Sequence, residues 1–290
     1  MRAAIIAEKA APTRLGNFAE PHPAHGEQLI HVLAGSIGPT DLMRANGFFG
    51  PMPYPYVPGG EGVGRLDSGE RVYFGHSTAP FGALAERTIV PQTEIWQLPD
   101  NIDDGLAIVL GISGTGALLP LEEAHIQAGE SVLVLGAGRV VGTARNAAAL
   151  ARLTAHGIAD ATVQLGTGDD LAALKAQAGP GYNVVLDCIY GPPAETAIRA
   201  TAPGARIMSI GIQAGPTVTL SLRDLVFRSH IGVGTGQRPA AERRAAFERL
   251  LAYGQTGRIK VDVTTHSLDD AEAAWTAQAQ SPHAKVIIRP

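Results

Sequence analysis

The chain has 290 residues, of which 45% are hydrophobic, so it is long enough for two domains of about 150 residues with sizeable cores. Its 23 basic and 27 acidic residues give a net charge of −4 without a long run of either sign, and this excludes the basic surface that nucleic-acid-binding proteins need. The single cysteine excludes an intramolecular disulfide and a cysteine-rich zinc site, and we expect a reducing, cytoplasmic setting. The uncharged stretches 45–60 and 105–121 are interrupted by Gly, Pro, Ser or Thr, so we predict no membrane-spanning helix.

The first 106 residues have the pattern of short strands separated by turns. Residues 2–7 fit a first β-strand better than a signal peptide, and prolines and glycines cluster at 51–55 and 58–60. Further predicted strands lie at 29–34, 62–66, 71–74 and 86–90. This pattern predicts an antiparallel, partly barrel-shaped domain.

Between about residues 107 and 236 the pattern changes to strands that alternate with helices. The predicted strands are 131–135, 161–165, 183–187 and 206–210, and the predicted helices are 169–178 and 193–202. Because these strands are almost continuously apolar, we predict a parallel sheet with helices on both faces.

The last 50 residues contain two further helices and two strands. We predict a helix over 240–253 that ends at Gly254, a strand over 260–264, a helix over 268–280 and a last strand over 285–288. We expect this tail to return to the first domain.

Several short motifs occur in an order that resembles the medium-chain dehydrogenase/reductase superfamily over nearly the whole chain. The motifs are Asp41 followed by Asn46-Gly47, and the segments 26–32, 58–64, 128–134, 202–206 and 282–285. The sequence is most similar to the zinc-independent, quinone-oxidoreductase-like branch. The resemblance implies an α/β protein with a doubly wound parallel (Rossmann-like) cofactor domain at 113–236. It also implies a β-rich, GroES-like substrate domain formed by 1–112 and 237–290, and a homodimer.

The metal ligands of zinc-dependent relatives are a Cys and a His–Glu pair. Residues 37–41, where that Cys would lie, contain none, and Gly60 replaces the His so that only Glu61 remains. A catalytic zinc needs about three protein ligands. We therefore predict no metal site and interpret Glu61 as a structural carboxylate.

This chemistry favours a particular class of substrate. Oxidation of a simple alcohol usually needs a Lewis acid, whereas a quinone or enone accepts hydride onto an oxygen that hydrogen bonds can stabilise. We predict an NADPH-dependent reductase of a quinone or conjugated carbonyl, without naming catalytic residues. Two alternatives stay open: a non-catalytic descendant with an impaired cofactor site that acts as a binding or structural protein, and a zinc alcohol dehydrogenase with unusual ligands.

The glycine motif has an unusual spacing. Gly136, Ala137 and Gly138 begin a G-x-G-x-x-x-G sequence that ends at Gly142, with one residue more than the usual fingerprint. In a first alignment, 136–157 forms the phosphate loop and the first helix.

In a second alignment, 139–142 is the second strand of the sheet, and Asn146 caps a helix that runs to His156. This leaves three residues between two strands, whereas parallel neighbours need a crossover of about a dozen residues. The second alignment therefore implies that the first crossover helix is missing, and a hairpin at 136–138 is an alternative.

Residues after the predicted strands are candidates for cofactor binding. On the second alignment Thr143, Arg145 and Asn146 would select the cofactor's ribose, and Arg145 would face a 2′-phosphate because residues 143–146 contain no acid. An exposed arginine at a helix start is an equally valid interpretation. The further candidates, which are also ordinary turn or packing residues, are Ser113, Gly114, Ile189, Tyr190, Ile210 and Gly211.

Four aromatic residues lie close together in a proline-rich stretch: Phe48, Phe49, Tyr54 and Tyr56. Because aromatic residues are only 5% of the chain, we predict that they form the wall or lid of a substrate pocket, although packing onto their own domain is the commoner use. Either tyrosine is a candidate hydrogen-bond donor to a substrate oxygen. Cys188 is predicted to be a buried core thiol.

Overall fold

The computed structural model describes residues 1–135, 141–259 and 261–290, with every side chain among them except that of Leu135. Contacts divide the chain into two compact units, the β-rich unit (Met1–Thr115 with Arg238–Pro290) and the parallel-sheet unit (Gly116–Gln237).

The strands are, in chain order, β1 (Arg2–Ile5), β2 (Arg14–Asn17), β3 (Glu27–Ile37), β4 (Glu61–Arg65), β5 (Arg71–Gly75), β6 (Arg87–Pro91), β7 (Ile95–Gln97), β8 (Val132–Leu135), β9 (Val141–Ala144), β10 (Ala161–Gln164), β11 (Tyr182–Asp187), β12 (Thr201–Ser209), β13 (Ser229–Gly232), β14 (Val263–Ser267) and β15 (Lys285–Arg289). The α-helices are α1 (Pro39–Ala45), α2 (Asp104–Ile108), α3 (Thr115–Glu123), α4 (Ala147–Ala155), α5 (Asp170–Ala178), α6 (Gly191–Arg199), α7 (Leu222–Leu225), α8 (Ala240–Gln255) and α9 (Ala271–Ala279).

The β-rich unit is built on one mostly antiparallel sheet. Its strand order is β14-β15-β3-β4-β5-β7, with β6 also paired to β3, and β1 and β2 form a separate antiparallel pair. Strand β15 pairs antiparallel with β3, so the predicted return of the C-terminal tail to the first domain is confirmed. One core cluster joins apolar residues of this sheet to α9, among them Ile37, Trp275 and Val286.

Helix α8 buries one face in the β-rich unit. Its buried residues recur at intervals of three or four, which is the period of one helix face: Arg243, Ala246, Phe247, Leu250, Leu251 and Gly254. The ring of Phe247 stacks on Tyr73 with ring centroids 4.7 Å apart and lies 5.1 Å from Trp96. Gly254 continues the helix instead of ending it, so that predicted boundary is wrong by two residues.

A helical stretch precedes the parallel-sheet unit. It comprises α2, a π-helical segment (Val109–Gly114) with a non-helical ψ of −118° at Gly111, and α3. The whole stretch, Asp104–Glu123, is the one described helix with the length and apolarity that a membrane span needs, and half of its most apolar window is buried inside the protein. Helices of a protein core pass the same test, so this stretch alone is weak support for a span.

The parallel-sheet unit contains six parallel strands in the order β10-β9-β8-β11-β12-β13. Counted along the chain this is the order 3-2-1-4-5-6, so the predicted doubly wound parallel sheet is confirmed. Helices α5 and α6 contact each other, and their apolar residues share a core cluster with Leu133, Val185 and Ile207. A second cluster contains Val134, Val184 and Met208 together with Ala124, the residue that follows α3.

The pairing of β9 decides between the two alignments of the glycine motif. Strand β9 lies parallel to both β8 and β10, with Leu133 opposite Val141 and Val141 opposite Ala161. The second alignment is therefore correct in making this segment the second strand of the sheet, although the described strand is Val141–Ala144 instead of 139–142. The first alignment and the hairpin are wrong. Only residues 136–140, which lie outside the described part of the chain, join β8 to β9, and five residues are too few for a crossover helix.

Some predicted boundaries differ from the structure. The helix predicted at 193–202 is α6, which begins and ends earlier, because β12 already starts at Thr201. The strand predicted at 260–264 is β14, which begins at Val263, and Lys260 lies outside the described residues. Helix α1 and strands β2, β7 and β13 were not predicted.

Candidate functional site

The carboxyl ends of four strands of the parallel-sheet unit lie level with one another. Thr143 of β9 is paired with Leu135 of β8, which is paired with Asp187 of β11, and Asp187 is paired with Ser209 of β12. Strands β8 and β11 are neighbours at which the chain order reverses direction. In open α/β sheets, this switch point at the carboxyl ends of the strands is where ligands bind.

Asp187 forms hydrogen bonds with both the loop that follows β11 and the loop that follows β12. Its side-chain Oδ1 accepts hydrogen bonds from the backbone N–H groups of Ile189 (3.1 Å) and Tyr190 (2.7 Å). Its carbonyl oxygen accepts from the N–H groups of Ile210 (2.8 Å) and Gly211 (3.3 Å). The four residues predicted in these loops are therefore brought together by one residue that the sequence analysis did not select.

The second carboxylate oxygen of Asp187, Oδ2, is buried and has no hydrogen-bond partner among the residues that the structure describes. The side chain is fully buried, and this burial raises the pKa of Asp187 above its usual range. A buried polar atom without a partner costs free energy, and such atoms occur where water or a ligand completes the site. The sequence offered one signal that could have identified Asp187, namely an acidic residue at the end of the apolar run 183–187.

Backbone geometry around Asp187 is tight. The backbone of Tyr190 has φ 55° and ψ −158°, a conformation that non-glycine residues rarely adopt. A Cβ atom at Gly211 would lie 1.9 Å from the carbonyl oxygen of Cys188, so only glycine fits there.

The prediction that Cys188 is a buried core thiol is wrong. Its side chain is exposed, because β11 ends at Asp187 and Cys188 already belongs to the following turn. Desolvation by the surrounding protein and the charge of Asp187 raise the pKa of the thiol to about 11, so it stays protonated at neutral pH.

The three candidates at or just after the carboxyl end of β9 have different environments. The hydroxyl of buried Thr143 donates to the carbonyl of Val134 (3.2 Å), and Asn146 caps α4 by accepting from the N–H of Ala149 (3.0 Å), as predicted. Arg145 is exposed at the carboxyl end of β9. Among the described residues, the Thr143 and Asn146 side chains make the hydrogen bonds given above, and the Arg145 guanidinium makes none of them. The other predicted residues of the glycine motif, Gly136, Ala137 and Gly138, lie outside the described residues.

Glu61 is the centre of a buried hydrogen-bond network in the β-rich unit. Its Oε1 accepts from the Lys285 ammonium (2.6 Å) and the Ser36 hydroxyl (3.1 Å), and its Oε2 accepts from the Tyr73 hydroxyl (2.7 Å) and the Ile112 N–H (2.9 Å). Although burial acts to raise it, Lys285 and these donors lower the pKa of Glu61. Four donors leave this carboxylate without a free position, and no group of three His, Cys, Asp or Glu among the described residues could hold a metal ion.

Ser113 and Gly114 follow Ile112 in the π-helical segment. The exposed Ser113 hydroxyl lies 3.4 Å from the Lys285 ammonium. Gly114 packs closely, since a Cβ there would lie 3.1 Å from Leu250 and 3.2 Å from the Val109 carbonyl. The Glu61 network therefore fixes the backbone next to both candidates.

The four predicted aromatic residues do not share one environment. Phe48 and Phe49 are exposed and contact each other edge to face, with ring centroids 5.1 Å apart. The Tyr54 hydroxyl donates to the Ala45 carbonyl (3.1 Å), whereas the Tyr56 hydroxyl is buried and has no partner.

Tyr56 lines a small cavity together with Asp41 and Arg44. Its volume is about 20 Å³, which is room for one water molecule. Burial, with a smaller contribution from the Asp41 charge, raises the pKa of Tyr56 well above its usual range, and burial also raises the pKa of Asp41. Of the two candidate donors, Tyr56 is the one with a free hydroxyl.

Comparison with known proteins agrees with this architecture. A family model described as "Zinc-binding dehydrogenase" matches residues 128–251. A zinc-type alcohol dehydrogenase-like protein of Schizosaccharomyces pombe is 33% identical over 159 residues, which is 50% of this chain and 49% of that protein. Quinone oxidoreductase-like protein 2 of Mus musculus is 27% identical over 263 residues, 80% of this chain and 74% of that protein. A mycobacterial protein solved in complex with NADPH superposes with a TM-score of 0.88 over 100% of both chains at 21% identity.

These likenesses in sequence and fold indicate the medium-chain dehydrogenase/reductase superfamily, and within it the quinone-oxidoreductase-like branch. The predicted Rossmann-like domain and β-rich, GroES-like domain are confirmed by this fold likeness. The chain spans about half the length of the first of the two relatives and about three quarters of the second.

The structure places the two residues that stand at the zinc-ligand positions of zinc-dependent relatives. Gly60 offers no donor side chain, and Glu61 is fully engaged by Lys285, Tyr73, Ser36 and the Ile112 N–H. The donor set therefore does not fit a catalytic zinc at these positions.

Proposed function

We propose that this protein is an NADPH-dependent oxidoreductase that reduces a quinone or a conjugated carbonyl compound by hydride transfer. The observation that carries the proposal is the six-stranded doubly wound sheet whose switch point ends in a buried, incompletely paired carboxylate. The NADPH complex of a structural neighbour and the quinone-oxidoreductase-like name of the mouse relative support it.

The residues at the carboxyl edge fit a nicotinamide nucleotide. Arg145 would hold a 2′-phosphate, and the loops at 189–191 and 210–211, fixed by Asp187, would line the dinucleotide. When bound, the nicotinamide supplies the hydride. In this proposal the chain binds and orients the two reactants.

At the substrate end, the chain offers hydrogen-bond donors rather than metal ligands. The free Tyr56 hydroxyl and the Arg44 guanidinium border the same cavity as Asp41. Because this cavity has room for only one water molecule, we propose that the Tyr56 hydroxyl donates through that water to the oxygen that becomes negative when a conjugated acceptor takes up hydride. This supports a quinone or enone as substrate class, with Phe48 and Phe49 as exposed apolar surface for a flat molecule.

Arg145 tests the choice of NADPH over NADH. We expect Arg145→Ala to weaken NADPH binding by about tenfold or more and to leave NADH binding almost unchanged, because a charge-assisted phosphate contact is worth about 1.5–3 kcal/mol. The matched control is Arg152→Ala, which replaces an exposed arginine that lies on α4. It should leave the affinities for NADPH and NADH unchanged.

The measurement is a titration of nicotinamide fluorescence with each variant. If wild-type protein binds NADPH and NADH equally well, or if Arg145→Ala leaves the preference intact, the NADPH assignment is wrong.

A second function is favoured by one observation. Because only five residues join β8 to β9, the usual first crossover helix, whose N-terminus normally binds the diphosphate, is not available. A non-catalytic binding or structural protein would have the same sheet. In that case the wild-type protein would show no thermal shift even with a large excess of NADPH, whereas a ligand at 100 times its Kd stabilises by about 2.7 kcal/mol.

A further inference from the structure

The turn after β11 combines two energetically unfavourable features within four residues. Asp187 Oδ2 is fully buried without a hydrogen-bond partner, and the backbone of Tyr190 has a positive φ of 55° that a side chain disfavours. Each feature costs free energy in the folded state. Local costs of this kind persist where a turn is shaped for a ligand.

The same turn is held firmly in every other respect. Oδ1 of Asp187 accepts two backbone N–H groups, the Asp187 carbonyl accepts two more, and the Ile189 carbonyl accepts from the Ala214 N–H (2.7 Å). The free oxygen is therefore an acceptor at the switch point between β8 and β11. Among the described residues, none donates a hydrogen bond to it.

The missing partner must be a hydrogen-bond donor. An ionised carboxylate only accepts hydrogen bonds, and a nucleotide bound across the switch point carries ribose hydroxyls, which acidic residues of dinucleotide-binding domains accept from. We propose that Oδ2 of Asp187 accepts a hydrogen bond from a ribose hydroxyl of the bound nicotinamide nucleotide. This inference rests on the proposed function and adds a contact residue to it.

Asp187 is fully buried beneath its own turn. On this proposal a ribose hydroxyl reaches Oδ2 only if residues 188–190 shift when the nucleotide binds. Nucleotide binding is therefore coupled to a change in this turn. Exposed Cys188 lies in the turn and is the only cysteine of the chain, so it reports on the change.

The first test is Asp187→Asn in the full chain. The asparagine oxygen keeps the two hydrogen bonds from Ile189 and Tyr190, and its NH2 group takes the place of Oδ2, so a donor faces a donor. We expect the Kd for NADPH to rise about tenfold or more, with a Tm without nucleotide close to that of the wild type.

The matched control is Asn183→Ala, at the other end of β11. The Asn183 side chain also accepts two hydrogen bonds, from the N–H and the hydroxyl of Ser131 (3.0 Å each). This variant should lower the Tm and leave the Kd for NADPH unchanged. An Asp187→Asn protein that binds NADPH with the wild-type Kd overturns the inference and leaves the proposed function standing.

The second test uses the wild-type protein and does not depend on any variant folding. We expect saturating NADPH to change the rate at which a thiol reagent labels Cys188 by severalfold, with a midpoint at the Kd for NADPH. An unchanged labelling rate at saturation overturns the inference. If wild-type protein fails to bind NADPH at all, the proposed function and the inference both fail.

Discussion

Two buried tyrosines of the β-rich unit differ in what their hydroxyl groups contact. The Tyr73 hydroxyl donates to Glu61 at 2.7 Å, whereas the Tyr56 hydroxyl has no partner beside the cavity of about 20 Å³. Loss of a hydrogen bond to a carboxylate costs about 1.5–3 kcal/mol, but removal of an unpaired buried hydroxyl costs no protein hydrogen bond.

We therefore expect Tyr73→Phe to lower the free energy of unfolding by about 2 kcal/mol and Tyr56→Phe to leave it unchanged or to raise it by about 1 kcal/mol. Urea denaturation of the two variants measures both changes. A Tyr56→Phe protein that is destabilised as much as Tyr73→Phe would show that the Tyr56 hydroxyl has a strong partner in solution.

At the scale of single residues, the sequence indicates which residues follow the strands, but not which groups the folded chain brings into contact with them. The Asn146 helix cap could be predicted because its pattern is visible in the sequence, whereas the role of Arg145 at a 2′-phosphate stays a prediction. Asp187 was missed because its side chain bonds to the loop after β11 and its carbonyl to the loop after β12, and only the folded sheet brings these two loops together. Cys188 was misassigned because one residue separates the end of a buried strand from an exposed turn.

At the scale of elements, one buried ion pair joins helix α8 to Glu94, the residue immediately before β7. The Arg243 guanidinium donates to both oxygens of Glu94, at 2.8 and 2.5 Å, and both side chains are buried. Burial acts to raise the pKa of Glu94, but hydrogen bonds from His76 and Arg243 lower it to about 2. Because the pKa of Glu94 is lower in the folded state than its ordinary 4.5, the carboxylate stabilises the fold above about pH 4.5.

We expect this contribution, about 3 kcal/mol, to be lost as the pH falls from 4.5 towards 2. Arg243→Ala should lower the free energy of unfolding at pH 7 by about 3–5 kcal/mol, since it leaves a buried carboxylate without its partner. The free energy of unfolding of this variant should also depend less on pH between 4.5 and 2. Arg244→Ala is the control, because exposed Arg244 pairs with Glu248 one turn away, and an exposed pair of this kind is worth about 0.3–0.5 kcal/mol. Equal effects of the two substitutions, measured by denaturation across this pH range, would contradict the account.

Elements with a strong pattern were predicted and those without one were not. The apolar strands β8, β11 and β12 and helix α5 were predicted because hydrophobic runs or caps mark them. Strand β13 was missed because Ser229–Gly232 is mostly exposed and has no buried face. Helix α1 was missed because its start depends on the Asp41 side chain accepting from the Gly38 N–H (2.8 Å), a contact within a segment rich in Gly and Pro.

At the scale of the whole molecule, the edge strand of the parallel sheet is a candidate for assembly. Strand β13 has one neighbour in the sheet, β12, and Leu222, Val226 and Phe227 nearby are exposed. We propose that two chains pair along this edge as a homodimer, since an unpaired strand beside exposed apolar side chains favours association. Light scattering should then give a mass near twice the 30.1 kDa of one chain, and a Phe227→Arg variant should be monomeric. A monomeric wild-type protein would contradict this proposal.

The central claim is that the chain oxidises NADPH without a metal ion. The most direct measurement follows the nicotinamide absorbance while purified protein, NADPH and a small quinone are mixed in the presence of a metal chelator. The account predicts NADPH oxidation that is proportional to protein concentration, slower with NADH and unaffected by the chelator. No oxidation above the protein-free rate with either a quinone or an enone, or a rate abolished by the chelator and restored by zinc, would contradict it.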